Sequence, residues 1–185
     1  MKTGKILWAA MVGFAMTLPA SIASAQVNSS AQTIALNANL AESLTVSLSA
    51  TAVNFTLSAG SPTNAGSATI TATTAWTLAA GRNSVGVYAY FTSATAALTD
   101  GAGDNIPSSA FSIVDNGGAA AALNNTVAFG GANAGLQLAN VAISGANRSS
   151  SRTDVMAFNI NLSTLPQLPA STYLGTLNIQ AQTTP

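Results

Sequence analysis

Apolar and polar residues alternate with a period of two along most of the chain that follows residue 25. In residues 33–40 the apolar side chains share one face: Ile34, Leu36, Ala38 and Leu40. The same alternation returns in short runs, and each run ends in Gly, Pro, Asn or Ser. This period is typical of half-buried strands in an antiparallel sheet. The sequence therefore predicts an all-β protein.

The strands predicted after residue 40 are 44–48, 53–57, 68–72, 111–114, 136–143, 155–162 and 172–182. Residues 75–91 are predicted to form a hairpin that turns at Gly81 to Asn83, where Gly and Asn tolerate a positive φ. Its second strand has a predicted core face made of Val85, Val87, Ala89 and Phe91. Roughly eight to ten short strands without helical spacing predict two packed sheets in one domain, residues 26–185.

Residues 115–135 are rich in Gly, Ala and Asn, and two interpretations stay open for them. They form either a loop or an edge strand around Val127 and Phe129.

Residues 1–25 have the three parts of a secretory signal peptide. Lys2 and Lys5 precede an apolar run from Ile6 to Leu18, and Ala23 to Ala25 supply small residues for cleavage. The run is shorter than the ~20 residues that a membrane-spanning helix needs. We expect a protein exported through the inner membrane, with the periplasm in transit, to a secreted or cell-surface location. No membrane span is expected after signal removal.

After residue 25 the chain has no histidine, cysteine or lysine. Its basic residues are Arg82, Arg148 and Arg152, and five carboxylates are spread along the chain. Most proton-transfer, nucleophilic and metal chemistry depends on the missing residue types or on clustered carboxylates. The composition predicts no enzyme activity, no catalytic residue, no metal and no cofactor. Without a basic patch, a nucleic-acid partner is not expected. Low charge also weakens the usual protection against self-association.

The two ends of the chain after residue 25 resemble the spore coat protein U-like and pilin-like secreted domains. The matching positions are Val53 to Phe55, Ser67 to Thr74 (SATITATT), and Leu168 to Ile179 (LPASTYLGTLNI). The family usually has cysteines near two positions, where this chain has Ser43 or Leu44 and Thr73 or Thr74. The resemblance is therefore to a variant of this family without its cysteines.

The resemblance implies an immunoglobulin-like antiparallel β-sandwich that is open along one edge. In such domains the N-terminal extension of the next subunit fills the open groove as a donated strand. Residues 26–40 would be the donor here, with Ile34, Leu36, Ala38 and Leu40 as the inserted side chains. The alternative is that residues 26–40 form the first strand of their own sheet.

We expect an exported structural surface protein, a pilin-like or coat-like fimbrial subunit that assembles by β-strand addition. Its expected partners are further copies or a related subunit, and a periplasmic chaperone. The alternative function is a monomeric extracellular adhesin or carbohydrate-binding module, with Tyr88 and Tyr90 as ligand-stacking residues. These tyrosines share one face of their predicted strand, which makes them available for stacking or for packing on the sheet surface.

Two polar segments are candidate ligand sites. Asp100 to Asn105 is the single carboxylate cluster in the sequence, and its spacing favours a plain turn over a calcium loop. Arg148 and Arg152 flank three serines close to Asp154, which favours a solvated loop with one surface ion pair over a phosphate or acidic-glycan site.

Overall fold

A computed structural model of the protein describes residues 27–124 and 134–185. The predicted signal peptide, Val127 and Phe129 therefore lie outside the described residues. The chain divides into two units, residues 1–38 and residues 39–185. In the first unit, residues 27–38 form no helix or strand and their side chains are exposed.

The second unit contains eleven strands in its described residues. They are β1 (Ser43–Leu48), β2 (Asn64–Ala65), β3 (Ile70–Thr77), β4 (Ser84–Phe91), β5 (Leu98–Thr99), β6 (Asn105–Ile106), β7 (Phe111–Asp115), β8 (Ala120–Ala122), β9 (Ala134–Ala142), β10 (Ser149–Ile160) and β11 (Asn178–Thr184). One 3-10 turn at Ser108–Ala110 is the helical element of the described residues. No helix in these residues has the length and apolar character needed to cross a bilayer.

The strands form an all-β sandwich of antiparallel sheets. The larger sheet has the order β1-β3-β10-β7-β8, and β2 also pairs with β10. The smaller sheet has the order β11-β4-β9, and β5 pairs with β6 separately. The prediction of an all-β sandwich is confirmed.

The alternation in the sequence predicts which side chains form the core. Along β3 the buried side chains are Ile70, Ala72, Thr74 and Trp76. Along β4 they include the predicted core face, with Val85, Val87 and Ala89 fully buried and Phe91 3 % exposed. A second, smaller cluster forms where Trp76 meets Leu78 and Val85, and the Trp76 indole N–H donates to the Asn147 carbonyl at 2.8 Å. Strand pattern and burial therefore agree in the centre of both sheets.

The predicted hairpin at 75–91 is wrong. β3 pairs with β1 and β10, whereas β4 pairs with β11 and β9, so the two strands lie in different sheets. The intervening residues 78–83 carry the chain from one sheet to the other. β3 and β4 each have one apolar face. When the two strands lie in opposite sheets of a sandwich, these faces pack against each other and bury more surface than they would as neighbours in one sheet.

Other differences concern strand limits. β10 begins at Ser149, before the predicted 155, and β11 begins at Asn178, after the predicted 172. Residues 33–40 and 53–57 alternate as predicted but form no strand, apart from an isolated bridge at Phe55. A strand needs a neighbouring edge with which to exchange hydrogen bonds, and alternation by itself does not provide one.

Candidate functional site

An apolar groove of about 760 Å³ opens into the core of the sandwich. One wall is the segment 50–57 that follows β1, and the other is the segment 170–177 that precedes β11. The floor consists of core side chains from several strands: Ile70, Phe91, Phe111, Met156, Phe158 and Ile160. The groove therefore gives access to the hydrophobic core between two stretches of irregular chain.

Phenylalanine rings organise the floor around Phe111. Its ring centroid lies 5.6 Å from that of Phe55 and 5.2 Å from that of Phe91, both in edge-to-face contact. The Phe158 ring lies 6.0 Å away in a tilted arrangement. Such contacts fix the rings relative to one another, so the floor is a preformed apolar surface.

Each wall forms backbone hydrogen bonds to the rest of the domain along one of its two edges. Asn54 accepts the Ser67 N–H at 2.8 Å, while Leu174 and Thr99 exchange two hydrogen bonds of 2.9 Å. In an extended chain the neighbouring residues direct their N–H and C=O groups to the opposite edge. Among the described residues, no hydrogen bond joins the N–H or C=O group of Val53 or Phe55 to another backbone group, since the bridge between Phe55 and Gly66 uses the flanking Asn54 and Ser67. Both walls thus have backbone groups available for a further strand.

The predicted donor residues lie in a segment without regular structure. Ile34, Leu36 and Leu40 are 85 %, 90 % and 84 % exposed, and Ala38 is also exposed. Large apolar side chains that alternate along an exposed, unpaired segment are unusual, because burial of each would be favourable. The segment therefore has the alternating apolar pattern of a strand but pairs with no other strand.

Glu42 fixes the point where the chain enters β1. Its carboxylate accepts the Ala79 N–H at 2.8 Å and pairs with the Arg82 guanidinium at 3.0 Å. The Arg82 hydrogen bond, followed by the Ala79 hydrogen bond, lowers the pKa of Glu42 to about 2. This contact ties the start of β1 to the loop between β3 and β4.

Tyr88 and Tyr90 lie half-buried on the outer face of β4, and sequence analysis placed them on this face correctly. The Tyr90 hydroxyl donates to Gln180 Oε1 at 2.7 Å, and Gln137 Nε2 donates to the Tyr88 hydroxyl at 3.2 Å. The two rings are therefore held by side chains of the neighbouring strands β11 and β9.

The Asp100 cluster is a turn between β5 and β6, as predicted. Asp100 Oδ1 accepts the N–H groups of Ala102 at 2.8 Å and Asp104 at 3.0 Å, which is a turn stabilised by its own first side chain. Among the described residues, no group of three or more His, Cys, Asp or Glu side chains is placed to hold a metal ion.

The prediction of a solvated loop around Arg152 is wrong. Arg152 and Asp154 belong to β10 and face inward, with Asp154 fully buried and 2.6 Å from the guanidinium. Asn116, at φ 49°, donates to Asp154 Oδ1 at 3.0 Å, and Asp115 approaches Arg152 at 3.9 Å. The buried Asp154 carboxylate thus has a close cationic partner, as a buried charge requires, while Asp115 Oδ1 and Asp154 Oδ2 are buried without a hydrogen bond in the part of the chain that the structure describes.

The residues of the groove floor were not predicted as a site from the sequence. Phe111 and Phe158 were placed in predicted strands, but nothing in the alternation distinguishes a covered core side chain from one beneath an opening. The available signal was the length of chain between β1 and β3, where Val53, Phe55 and Leu57 alternate within a stretch rich in Ala, Thr and Ser.

No family model, no curated protein and no solved structure matches this chain.

Proposed function

We propose that this protein is an exported structural subunit of a surface polymer, and that its copies join by β-strand addition. The observation that carries the proposal is the combination of an open apolar groove with an exposed, alternating segment. The segment 27–40 of one copy enters the groove of another and adds a strand between the two walls. The domain is then an immunoglobulin-like sandwich completed by its neighbour.

The dimensions of the donor and the groove support this pairing. At ~3.3 Å per residue, residues 33–40 and the wall 50–57, which have eight residues each, both extend over roughly 26 Å. One donated strand can therefore run along the whole wall. Successive inward side chains would be Ile34, Leu36, Ala38 and Leu40, and burial of each large one is worth ~1.5–3 kcal/mol before the cost of ordering the segment.

The chemistry of the chain agrees with a structural role outside the cell. A sandwich without histidine, cysteine or lysine in its described residues offers little for catalysis, and we propose no enzyme activity. An open edge above an apolar core is an aggregation hazard during export. A periplasmic chaperone that covers the groove until a donor arrives would remove this hazard.

Polymerisation tests the proposal directly. We expect the full chain, recovered after export, to form fibres in electron micrographs and a heat-labile ladder on unheated gels. Ile34→Ser combined with Leu36→Ser should abolish both, because the donor loses its apolar side chains. Val27→Ser is the matched control and should polymerise normally, because Val27 is 93 % exposed in the same segment but precedes the alternating residues 33–40 that fill the groove.

A disulfide trap locates the contact between copies, since the chain has no cysteine. Ala38→Cys in one copy should cross-link under oxidation to Thr172→Cys, on the groove wall, in another. Val155→Cys, exposed on β10 and away from the groove, should not cross-link. Equal cross-linking at positions 155 and 172, or a wild type that stays monomeric, would refute strand addition.

The alternative function is a monomeric extracellular adhesin or carbohydrate-binding module. A stable wild-type monomer whose melting temperature does not change when residues 27–40 are deleted would favour it.

A further inference from the structure

The outer face of the smaller sheet has an unusual composition. Its three strands β4, β9 and β11 contain no charged residue. We define the Tyr–amide face by six outward side chains: Tyr88, Tyr90, Gln137, Asn140, Gln180 and Gln182. All four amides are exposed, and the tyrosines are half-buried between them. The face is therefore polar, neutral and aromatic at its centre.

Pairing between strands sets the arrangement of these side chains. Gln180 of β11 and Gln137 of β9 are the partners of Tyr88 on its two sides. The hydrogen bonds from Gln137 to Tyr88 and from Tyr90 to Gln180 hold the two hydroxyls at the sheet surface. Because amides have both donor and acceptor atoms, each keeps further hydrogen-bonding capacity toward a ligand.

Gly86 leaves the space that the Tyr88 ring occupies. A Cβ atom at Gly86 would come within 2.6 Å of Tyr88 Cε2 and 2.8 Å of its hydroxyl oxygen. The register of β4 and β9 also shifts between Val87 and Tyr88. The ring thus leans over the backbone of Gly86, and this conformation depends on the absence of a side chain there.

We propose that the Tyr–amide face binds a neutral polysaccharide. Sugar rings present C–H groups on their faces, which pack on aromatic rings, and hydroxyls at their edges, which bond to amides. Side chains already held in place lose little entropy on binding. Three strands make a surface ~10 Å wide, and eight residues make it ~26 Å long, so it suits an extended polymer.

A second copy of the chain is a poorer occupant of this face. The buried centre of a protein interface is usually ~65 % apolar. The Tyr–amide face contains no aliphatic side chain among its six residues, and none of the six lines the groove. Polysaccharide binding is therefore separable from assembly through the groove, and it does not rest on the proposed polymer.

Retention on insoluble cellulose, chitin and mannan tests the proposal with the full chain. We expect retention on at least one of them that persists in 1 M NaCl, because no charge takes part. Tyr88→Ala with Tyr90→Ala should lower the affinity about tenfold or more, and Gln137→Ala with Gln180→Ala should also lower it. Thr71→Ala, on the larger sheet, is the control and should bind as the wild type does.

Tyrosine nitration of the unaltered protein gives a measurement that does not depend on variants. Bound polysaccharide should slow nitration of Tyr88 and Tyr90 and leave that of Tyr173, in the groove, unchanged. The proposal is overturned by no retention on all three glycans, by retention that the tyrosine pair does not affect, or by binding only to alginate at low salt. It is equally overturned if the tyrosine variants lose polymerisation while glycan binding is retained.

Discussion

Glu42 is the residue immediately before β1, and its ion pair with Arg82 makes this entry point sensitive to acid. Hydrogen bonds to Arg82 and Ala79 lower the pKa of Glu42 from its ordinary 4.5 to about 2. A lowered carboxyl pKa contributes stability above the ordinary pKa, and this contribution is lost as the pH falls from about 4.5 to about 2.

Glu42→Gln should therefore lower the melting temperature at pH 7 and have little effect near pH 2. The pair is partly exposed, so the effect should be small and should shrink in 1 M NaCl. Thermal melts of both proteins across this pH range provide the measurement. A difference that is constant with pH would show that packing of Glu42, and not its charge, matters.

The pKa of Asp115 changes in the opposite direction to that of Glu42, and so does its effect on stability. Burial, followed by repulsion from Asp154, raises the pKa of Asp115, although Arg152 and Asn116 oppose the change. Its ionised form is therefore less favourable in the folded protein than in the unfolded chain. The cost is present above the folded pKa and disappears below the ordinary value of 3.8.

We expect Asp115→Asn to raise the melting temperature at pH 7, with a gain that vanishes toward pH 3. Melts at the two pH values check this. A loss of stability at pH 7 would mean that attraction to Arg152 outweighs the cost of burying the carboxylate.

At the scale of elements, the wall 170–177 depends on one close approach. A Cβ atom at Gly175 would overlap the carbonyl oxygen of Ala97, which is backbone and cannot rotate away. Gly175→Ala should destabilise the domain by ~1–3 kcal/mol, the usual cost of overpacking. Gly145→Ala is the control, because a Cβ there meets nothing within 4 Å. Urea unfolding of the two variants compares them, and equal stability would show that the wall adjusts freely.

The sequence predicts elements better than it predicts their partners. Val85 to Phe91 alternate, and their inward face is buried as expected, because alternation reports directly on a side chain's two environments. The hairpin was wrong because residues 78–83 tolerate either a tight turn or a crossing between sheets. Which sheet a strand joins depends on distant residues, such as those that place Ser149 to Met156 beside β3.

The candidate site was predictable in part for the same reason. The alternation at Ile34 and Leu36 is visible in the sequence, and Tyr88 is expected to point outward because its neighbour Val87 points inward. The groove has no local signature, since Phe55 and Phe111 are 56 positions apart and meet only in the folded domain. Amide partners of the tyrosines were likewise fixed by strand register, which the sequence alone does not determine.

At the scale of the whole molecule, an open groove implies that an added strand should stabilise the domain. A synthetic peptide of residues 31–42 should raise the melting temperature of a variant that lacks residues 27–40. A ligand at a hundred times its dissociation constant adds ~2.7 kcal/mol to the free energy of unfolding. The same peptide with serine at positions 34, 36 and 40 is the control. Equal effects of both peptides would exclude specific filling of the groove.

In the proposed polymer, the groove of one copy contacts the segment 27–40 of another, and a contact between two different surfaces does not close on itself as a two-fold dimer does. A polymer built in this way has a polarity, with an empty groove at one end and an unused segment at the other. Its length is then a matter of stoichiometry, since any chain that fills the last groove without offering a segment of its own terminates growth. The ratio of such a terminator to subunit would set the mean length of the fibre.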